Sequence, residues 1–166
     1  SGHVSYDDRN FTAMGRKERK AIRQEIGMLF QGGALFDSMT VVENVQFPLR
    51  MFSDLSASGM RDRAMDCLRR VELEEAAGRL PAKISGGMQK RVGIARAISG
   101  RPELVLCDEP VSALDVSVQG AVLNLLLEVQ KEMGTTMAFI AHDLSVVRFF
   151  CDTIAVMYLG QIVEFG

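Results

Sequence analysis

Paired cysteines, a long apolar run and a surplus of one charge are all missing from this 166-residue chain. Its three cysteines, Cys67, Cys107 and Cys151, are far apart and odd in number. No C-x-x-C and no Cys/His ligand spacing occurs, which argues against a disulfide framework and a zinc module. No stretch approaches the roughly 20 apolar residues that a membrane-spanning helix needs. The formal net charge of −2 gives no general pull toward nucleic acid or membrane. One local exception, the basic run "GRKERKAIR" (Gly15 to Arg23), is read as a solvated helix face. Internal repeats, low-complexity tracts and a signal-peptide pattern are missing too, and the chain opens with Ser-Gly. What remains, 48% apolar and 24% charged residues, describes a cytosolic globular domain with a real core.

The pattern along the chain divides in two. "HVSYDD" reads as a short strand and turn, "TAMGRKERKAIRQ" as a short helix, and "IGMLFQ" (Ile26 to Gln31) as a buried strand. After the loop "GGALFDSM", Thr40 and Glu43 form a capping box, and the helix they open is expected to stop near Pro48. "SGMRDRAMDCLRRVEL" places Met60, Ala64, Cys67, Leu68 and Val71 on one helical face. Beyond it, "ELVLCD", "TMAFIAH", "TIAVMYL" and "QIVEFG" read as strands, the last two pairing across Gly160. Between them lie a helix capped by Ser117 and closed by Gly134, and a short helix "LSVVRFF". Buried strands alternating with helices predict an α/β fold with a mostly parallel sheet. Residues 32–100 are nearly all helix and read as a helical insert.

Three strand ends carry polar groups, where ligands gather in such sheets. They are Gln31, then Asp108 and Glu109, then His142 and Asp143. Paired acids after an apolar run suit phosphoryl chemistry: Asp108 would face a magnesium ion, and Glu109 could orient or deprotonate a water. Asp143 is equally suited to cap the following helix, and a lone His142 or Gln31 is by itself only a hydrogen-bonding side chain. A different signal stands at "ISGGMQKRVGIARAI". From Met88 the pattern is helical, with Val92, Ala95 and Ile98 on one stripe, Arg91 and Arg96 off it, and Gly100 as a stop. A helix start cleared by Gly86 and Gly87 offers free N–H groups to an anion. It is also what a Ser85 N-cap and a glycine turn would look like.

"ISGGMQKR", "LVLCDEP", "SALD" and "FIAHD", in this order and with a strand-ending glutamine upstream, closely resemble the ATPase subunits of ABC transporters. The resemblance covers essentially the whole chain. "SGGMQ" is similar to that family's signature motif, "LVLCDE" to its Walker B, "SALD" (Ser112 to Asp115) to its D-loop, and His142 to its switch histidine. What the resemblance implies is a P-loop NTPase fold of ABC type. Residues 32–100 would be its helical subdomain, ending in the signature helix, and residues 1–31 and 101–166 parts of its catalytic core. It also implies ATP and Mg2+ as ligands. Glu109 would be the general base, Asp108 the magnesium acid, His142 a γ-phosphate contact, and Gln31 a sensor of magnesium and the attacking water. Ser85, Gly86, Gly87 and Gln89 would face the nucleotide of a second subunit in a head-to-tail dimer. Ser112 and Asp115 would lie at the dimer interface, and Phe36 and Asp37 would contact membrane permease subunits. Such a subunit sits in the cytoplasm on the inner face of the membrane and touches neither nucleic acid nor the transported substrate.

No G-x-x-x-x-G-K-[ST] occurs in these residues, although P-loop ATPases use that loop to cradle the β- and γ-phosphates. The fold is therefore expected to be an incomplete one, an internal piece of an ABC ATPase. By itself it is expected to bind Mg-ATP weakly or not at all and to be inactive. A naturally loopless ATPase is the alternative. "FQGGALFDSMTVVENVQFPLR" resembles lipid-trafficking importers of the Mla (organic-solvent resistance) type. "DEPVSALDVSVQGAVLNLLLEVQKEMG" and "HDLSVVRFFCDTIAVMYLGQIVE" resemble dipeptide and oligopeptide importers. Three functions are open: the ATP-hydrolysing motor of an importer, a soluble ABC ATPase acting outside transport, and a non-catalytic interaction fragment.

Overall fold

The computed structural model describes residues 2–112 and 114–166. The chain begins with a hairpin, β1 (Ser5–Tyr6) and β2 (Arg9–Asn10), turned by Asp7 and Asp8 in the left-handed region (φ 50° and 59°). Asn10 then accepts from the backbone of Thr12 and Ala13, which delays the next helix, α1 (Arg16–Glu25), to Gly15. Only Ile22 of α1 is buried, so the basic run is a largely solvated face, with Arg19 and Arg23 stacked over Phe11. Arg9 clasps Glu25 through both carboxylate oxygens and ties the hairpin to the end of α1.

β3 (Ile26–Leu29), β4 (Leu104–Asp108) and β5 (Thr136–Ile140) form a parallel sheet in that order. Ile26 pairs with Leu104, and Leu104 with Thr136, so the three strands finish at one level. β3 approaches a helix closely at Gly27, where a Cβ would stand 2.4 Å from the Ala97 carbonyl oxygen. The expected strand ending at His142 is shorter, because the ladder stops at Ile140 and Asp143 caps α6 (Leu144–Phe150) through Ser145 N–H.

Between β3 and β4 stand α2 (Val41–Phe52), α3 (Ala57–Arg70) and α4 (Gly86–Ile98), with 3₁₀ turns at Glu74–Ala76 and Pro81–Lys83. The Thr40–Glu43 capping box opens α2 as expected. The helix does not stop at Pro48; it runs on to Phe52. An interior proline costs about 3 kcal/mol. Here burial of Val41, Val45 and Leu49 along one face offsets it. α4 likewise starts two residues earlier than the pattern suggests, at Gly86, with Ser85 accepting from Met88 N–H.

α5 (Val116–Met133) follows β4 and ends at Gly134 in the left-handed region (φ 63°). Its N-cap is Asp115, not Ser117; the carboxylate accepts from Val118 N–H and from the Ser117 hydroxyl. One apolar cluster runs from Leu29, Val105 and Cys107 of the sheet through the helices to Val122, Leu126 and Phe150. β6 (Ala155–Tyr158) and β7 (Gln161–Phe165) form a separate antiparallel hairpin turned at Gly160. Met157, Leu159, Ile162 and Phe165 on it are exposed. Among the described residues no helix is long and apolar enough to cross a membrane.

Candidate functional site

Three of the expected residues meet. Gln31, just past β3, donates from Nε2 to Glu109 Oε2 at 2.9 Å. His142, just past β5, brings Nδ1 to 3.3 Å from Glu109 Oε1. Because the strands end level, the residues after each of them converge on the one after β4. Glu109 is held firmly. Its N–H donates to Ile140 O at 3.0 Å, which extends the ladder, and its carbonyl accepts from the Ser112 N–H and hydroxyl. Its φ of 45° is a left-handed conformation in a non-glycine residue, a strain of the kind that collects at functional sites. The carboxylate is about 30% exposed, reachable from solvent yet partly shielded.

Asp108 stands beside Glu109, exposed at the end of β4. The preceding Cys107 takes no part in this chemistry, since burial pushes its thiol up to about 12. Among the described residues no three His, Cys, Asp or Glu side chains gather into a metal cage. Asp108 and the side-chain oxygen of Gln31, the two residues expected at a metal, are instead hard oxygen donors. Such a partial set suits Mg2+, which usually takes one or two carboxylates and completes its shell with water and phosphate. Bound there, Mg2+ would supply charge neutralisation at a transferring phosphoryl group.

The other expected residues lie elsewhere. Ser85 caps α4, and a Cβ on Gly86 would meet nothing within 4 Å, so this helix start is open to a ligand from outside. Gly87 is held closer, 3.1 Å from Val118 Cγ1 on α5 for an added Cβ. Gln89 is engaged within the chain, its Nε2 donating to Pro81 O. Ser112 braces Glu109, and Asp115 caps α5, its carboxyl held below the usual range by the Ser117 hydroxyl and then Val118 N–H. Ala113, the second residue of "SALD", lies outside the described residues. Phe36 and Asp37 are exposed in the loop before α2.

Two residues that the sequence pattern passed over shape that loop. Asn44, fully buried in α2, accepts from Phe36 N–H and donates to the carbonyls of Phe36, Met39 and Thr40. Arg96, placed off the apolar stripe of α4, is buried and donates to Gly33 O and Ala34 O at 2.6 and 2.8 Å. Its only sequence signal is an arginine flanked by small and apolar residues in "VGIARAI". Phe36 opens onto a cleft of about 790 Å³ between α1, α2, α3 and the end of α4, lined by Phe30, Phe47, Phe52 and Leu55.

Comparison with known proteins identifies the family and the fold. The profile of the ABC transporter family matches residues 1–112, and the chain belongs to that family of ATP-binding cassettes. It is 43% identical to methionine import ATP-binding protein MetN 1 of Pseudomonas putida over 165 residues, 99% of this chain and 49% of that protein. MetN 2 of Bacillus cereus is 40% identical over all 166 residues, again 49% of its own length. The chain thus spans about half the length of the curated relatives it matches. Among solved structures, a dimeric ATP-binding cassette in a post-hydrolysis state with ADP and Pi superposes with a TM-score of 0.86. It is 34% identical, covering all of this chain and 73% of that one. CbiO1 from Clostridium perfringens, part of the cbiONQ transporter complex, gives 0.86 at 30% identity, covering all of this chain and 66% of that one. The fold is that of the ABC-type P-loop NTPases, a parallel α/β sheet with packed helices.

Proposed function

We propose that the chain is the core of the ATP-hydrolysing motor subunit of an ABC importer. The observation that carries this reading is Glu109, fixed at the end of β4 between Gln31 and His142 with Asp108 beside it. In this reading Glu109 takes the proton of the attacking water and Gln31 orients that water, while Asp108, with Gln31 as its sensor, would hold a Mg2+ ion supplying charge neutralisation. His142 contacts the γ-phosphate as negative charge builds on it. Ser85, Gly86, Gly87 and Gln89 serve the nucleotide of a second copy in a head-to-tail dimer, with Ser112 and Asp115 near that interface. The open start of α4 supports this role. Residues 32–100 act as a helical subdomain that carries the signature helix, and residues 1–31 and 101–166 as parts of the catalytic core.

The aromatic cleft beside Phe36 is suited to a short amphipathic helix from a membrane permease subunit. The protein would then work in the cytoplasm, on the inner face of the membrane. The importer is of lipid or peptide type. Partner choice lies with residues near this cleft, in the part of the sequence resembling lipid importers, so a lipid-type partner is favoured for that part. A methionine-type importer is a second reading, favoured by 43% identity over 99% of the chain.

The test is steady-state phosphate release by the full-length protein that carries this cassette. Glu109→Gln is expected to lower turnover at least 100-fold while ATP binding is kept, in the range set by loss of a general base. An unchanged rate would remove Glu109 from the chemistry and the motor reading with it.

A further inference from the structure

Two kinds of side chain line the cleft beside Phe36. The apolar set comes from the β3 exit and from α2. Phe36 and Phe47 lie with ring centroids 4.6 Å apart, and Phe30, Phe36 and Leu55 stay 40 to 45% exposed. Large apolar side chains left open in a concave surface mark a place where a partner sits. The charged set is Arg23, Arg63 and Arg101.

One short stretch brings these three arginines together. Residues 99–103 leave α4 and run between α3 and the end of α1. Arg63 on α3 donates from Nε to Ser99 O at 3.1 Å, a Cβ on Gly100 would stand 4.0 Å from Gln24 O, and Glu103 N–H donates to Glu25 O at 2.8 Å. Arg23 therefore lies on one flank of the stretch, Arg63 on the other and Arg101 on the stretch itself. Among the described residues no carboxylate pairs with any of the three. The acids nearby are taken. Asp66, the one carboxylate among the described residues of the lining, pairs with Arg69 and Arg70 at 3.5 and 3.4 Å. Glu18 accepts from Gly15 N–H, and Glu25 is held by Arg9. Arg96 also lines the cleft, but its donors go to Gly33 O and Ala34 O. A chain of net charge −2 thus gathers three unanswered guanidinium groups around an apolar cleft.

We propose that the cleft takes an acidic amphipathic helix, its apolar face on Phe36 and Phe47 and its carboxylates against Arg23, Arg63 and Arg101. This rests on the motor reading above, which supplies a permease segment as the occupant, and it goes further by fixing the sign of that segment's charge. Guanidinium groups suit the task because their planar fork meets a carboxylate through two parallel hydrogen bonds. Charges at the edge of an apolar contact select more than they bind: they speed encounter with an acidic helix and turn away a basic one. The arginines thereby act as specificity residues, while the aromatic side chains supply the contact area.

The experiment uses the full-length protein that carries this cassette and three synthetic helical peptides. The peptides share one Leu/Phe face and differ only in bearing Glu, Gln or Lys along its flank. Fluorescence anisotropy reads peptide binding, and phosphate release is measured separately. The Glu peptide is expected to bind about tenfold tighter than the Gln peptide at about 0.1 M salt, an advantage lost near about 1 M, where screening acts within about 3 Å. The double variant Arg23→Glu/Arg101→Glu, changed at two exposed positions, is expected to reverse the order in favour of the Lys peptide. Arg61→Glu, exposed on α3 and outside the lining, is expected to leave the order as it was. Equal affinity for the Glu and Gln peptides, or no binding of either, overturns the proposal. So does an order that the double variant leaves unchanged, or that Arg61→Glu reverses as well. If phosphate release proves independent of Glu109 while the peptide order holds, the motor reading fails and the acidic-helix surface stands without it.

Discussion

Gln31 and Glu109, 78 residues apart in sequence, are joined by one 2.9 Å hydrogen bond from the Gln31 amide to the Glu109 carboxylate. It leaves the other carboxylate oxygen to His142 and fixes which lone pairs of Glu109 remain for a water. Gln31→Ala removes the donor and nothing of the base. In the full-length protein it is expected to lower turnover roughly tenfold to a hundredfold through misplacement, less than Glu109→Gln. Phosphate release by both variants, measured side by side, checks this order. A Gln31→Ala protein as slow as Glu109→Gln would make the glutamine a primary participant.

Asn44 satisfies four backbone groups of the loop that presents Phe36. Asn44→Leu keeps the volume but takes the side-chain partner from Phe36 N–H and Met39 O, each costing about 1–3 kcal/mol if left unsatisfied and buried. Phe36 O keeps the Met39 N–H, and Thr40 O keeps the backbone N–H of residue 44. The expected result is a lowered denaturation midpoint with faster amide exchange at Phe36 and Met39. Loss of stability without faster exchange there would place the effect in the α2 core instead.

The contrast between these two residues shows what a sequence makes legible. Gln31, Glu109 and His142 each follow an apolar strand run, which marks them as candidates at one end of a parallel sheet. That they act together is implied only by the resemblance of the motifs, and the strand order that brings them together is seen in the fold. Asn44, Lys90 and Arg96 are buried polar side chains inside helices, and periodicity records where polarity occurs without saying what answers it. Arg96 reaches carbonyls 62 and 63 residues away, a pairing that only the packing of the β3 exit on α4 creates. Pro48 and Ser117 misled for a related reason. Local rules assign a stop and a cap, but burial of the α2 face and the better-placed Asp115 carboxylate override them.

Gly27 marks a contact that no side chain can share. An alanine there would put its Cβ 2.4 Å from Ala97 O and 3.1 Å from Pro102 Cγ. A backbone carbonyl and a proline ring cannot yield by rotamer change, so β3 and α4 must separate. Gly27→Ala is expected to cost about 1–3 kcal/mol, as overpacking does. The same shift moves the Leu29–Gly33 segment, so turnover should fall as well. A chemical denaturation curve with an unchanged midpoint would mean that β3 and α4 are not packed this closely.

The Arg9–Glu25 clasp gives stability a defined pH dependence. The Arg9 guanidinium, chiefly by hydrogen bonding, holds the Glu25 carboxyl below its ordinary value of 4.5. A group depressed in the folded state stabilises fully above its unfolded pKa, and the benefit drains away as pH falls through the folded one. Glu25→Gln should therefore lower Tm at pH 7 relative to the unsubstituted protein. The difference should narrow below about pH 4.5, the unfolded value, and close once the carboxyl is protonated in both states. Thermal melts of the two proteins across this range measure it. A Tm difference that stayed constant down to the acid end would assign the clasp to neutral hydrogen bonding and packing, and take charge out of the link between the hairpin and α1.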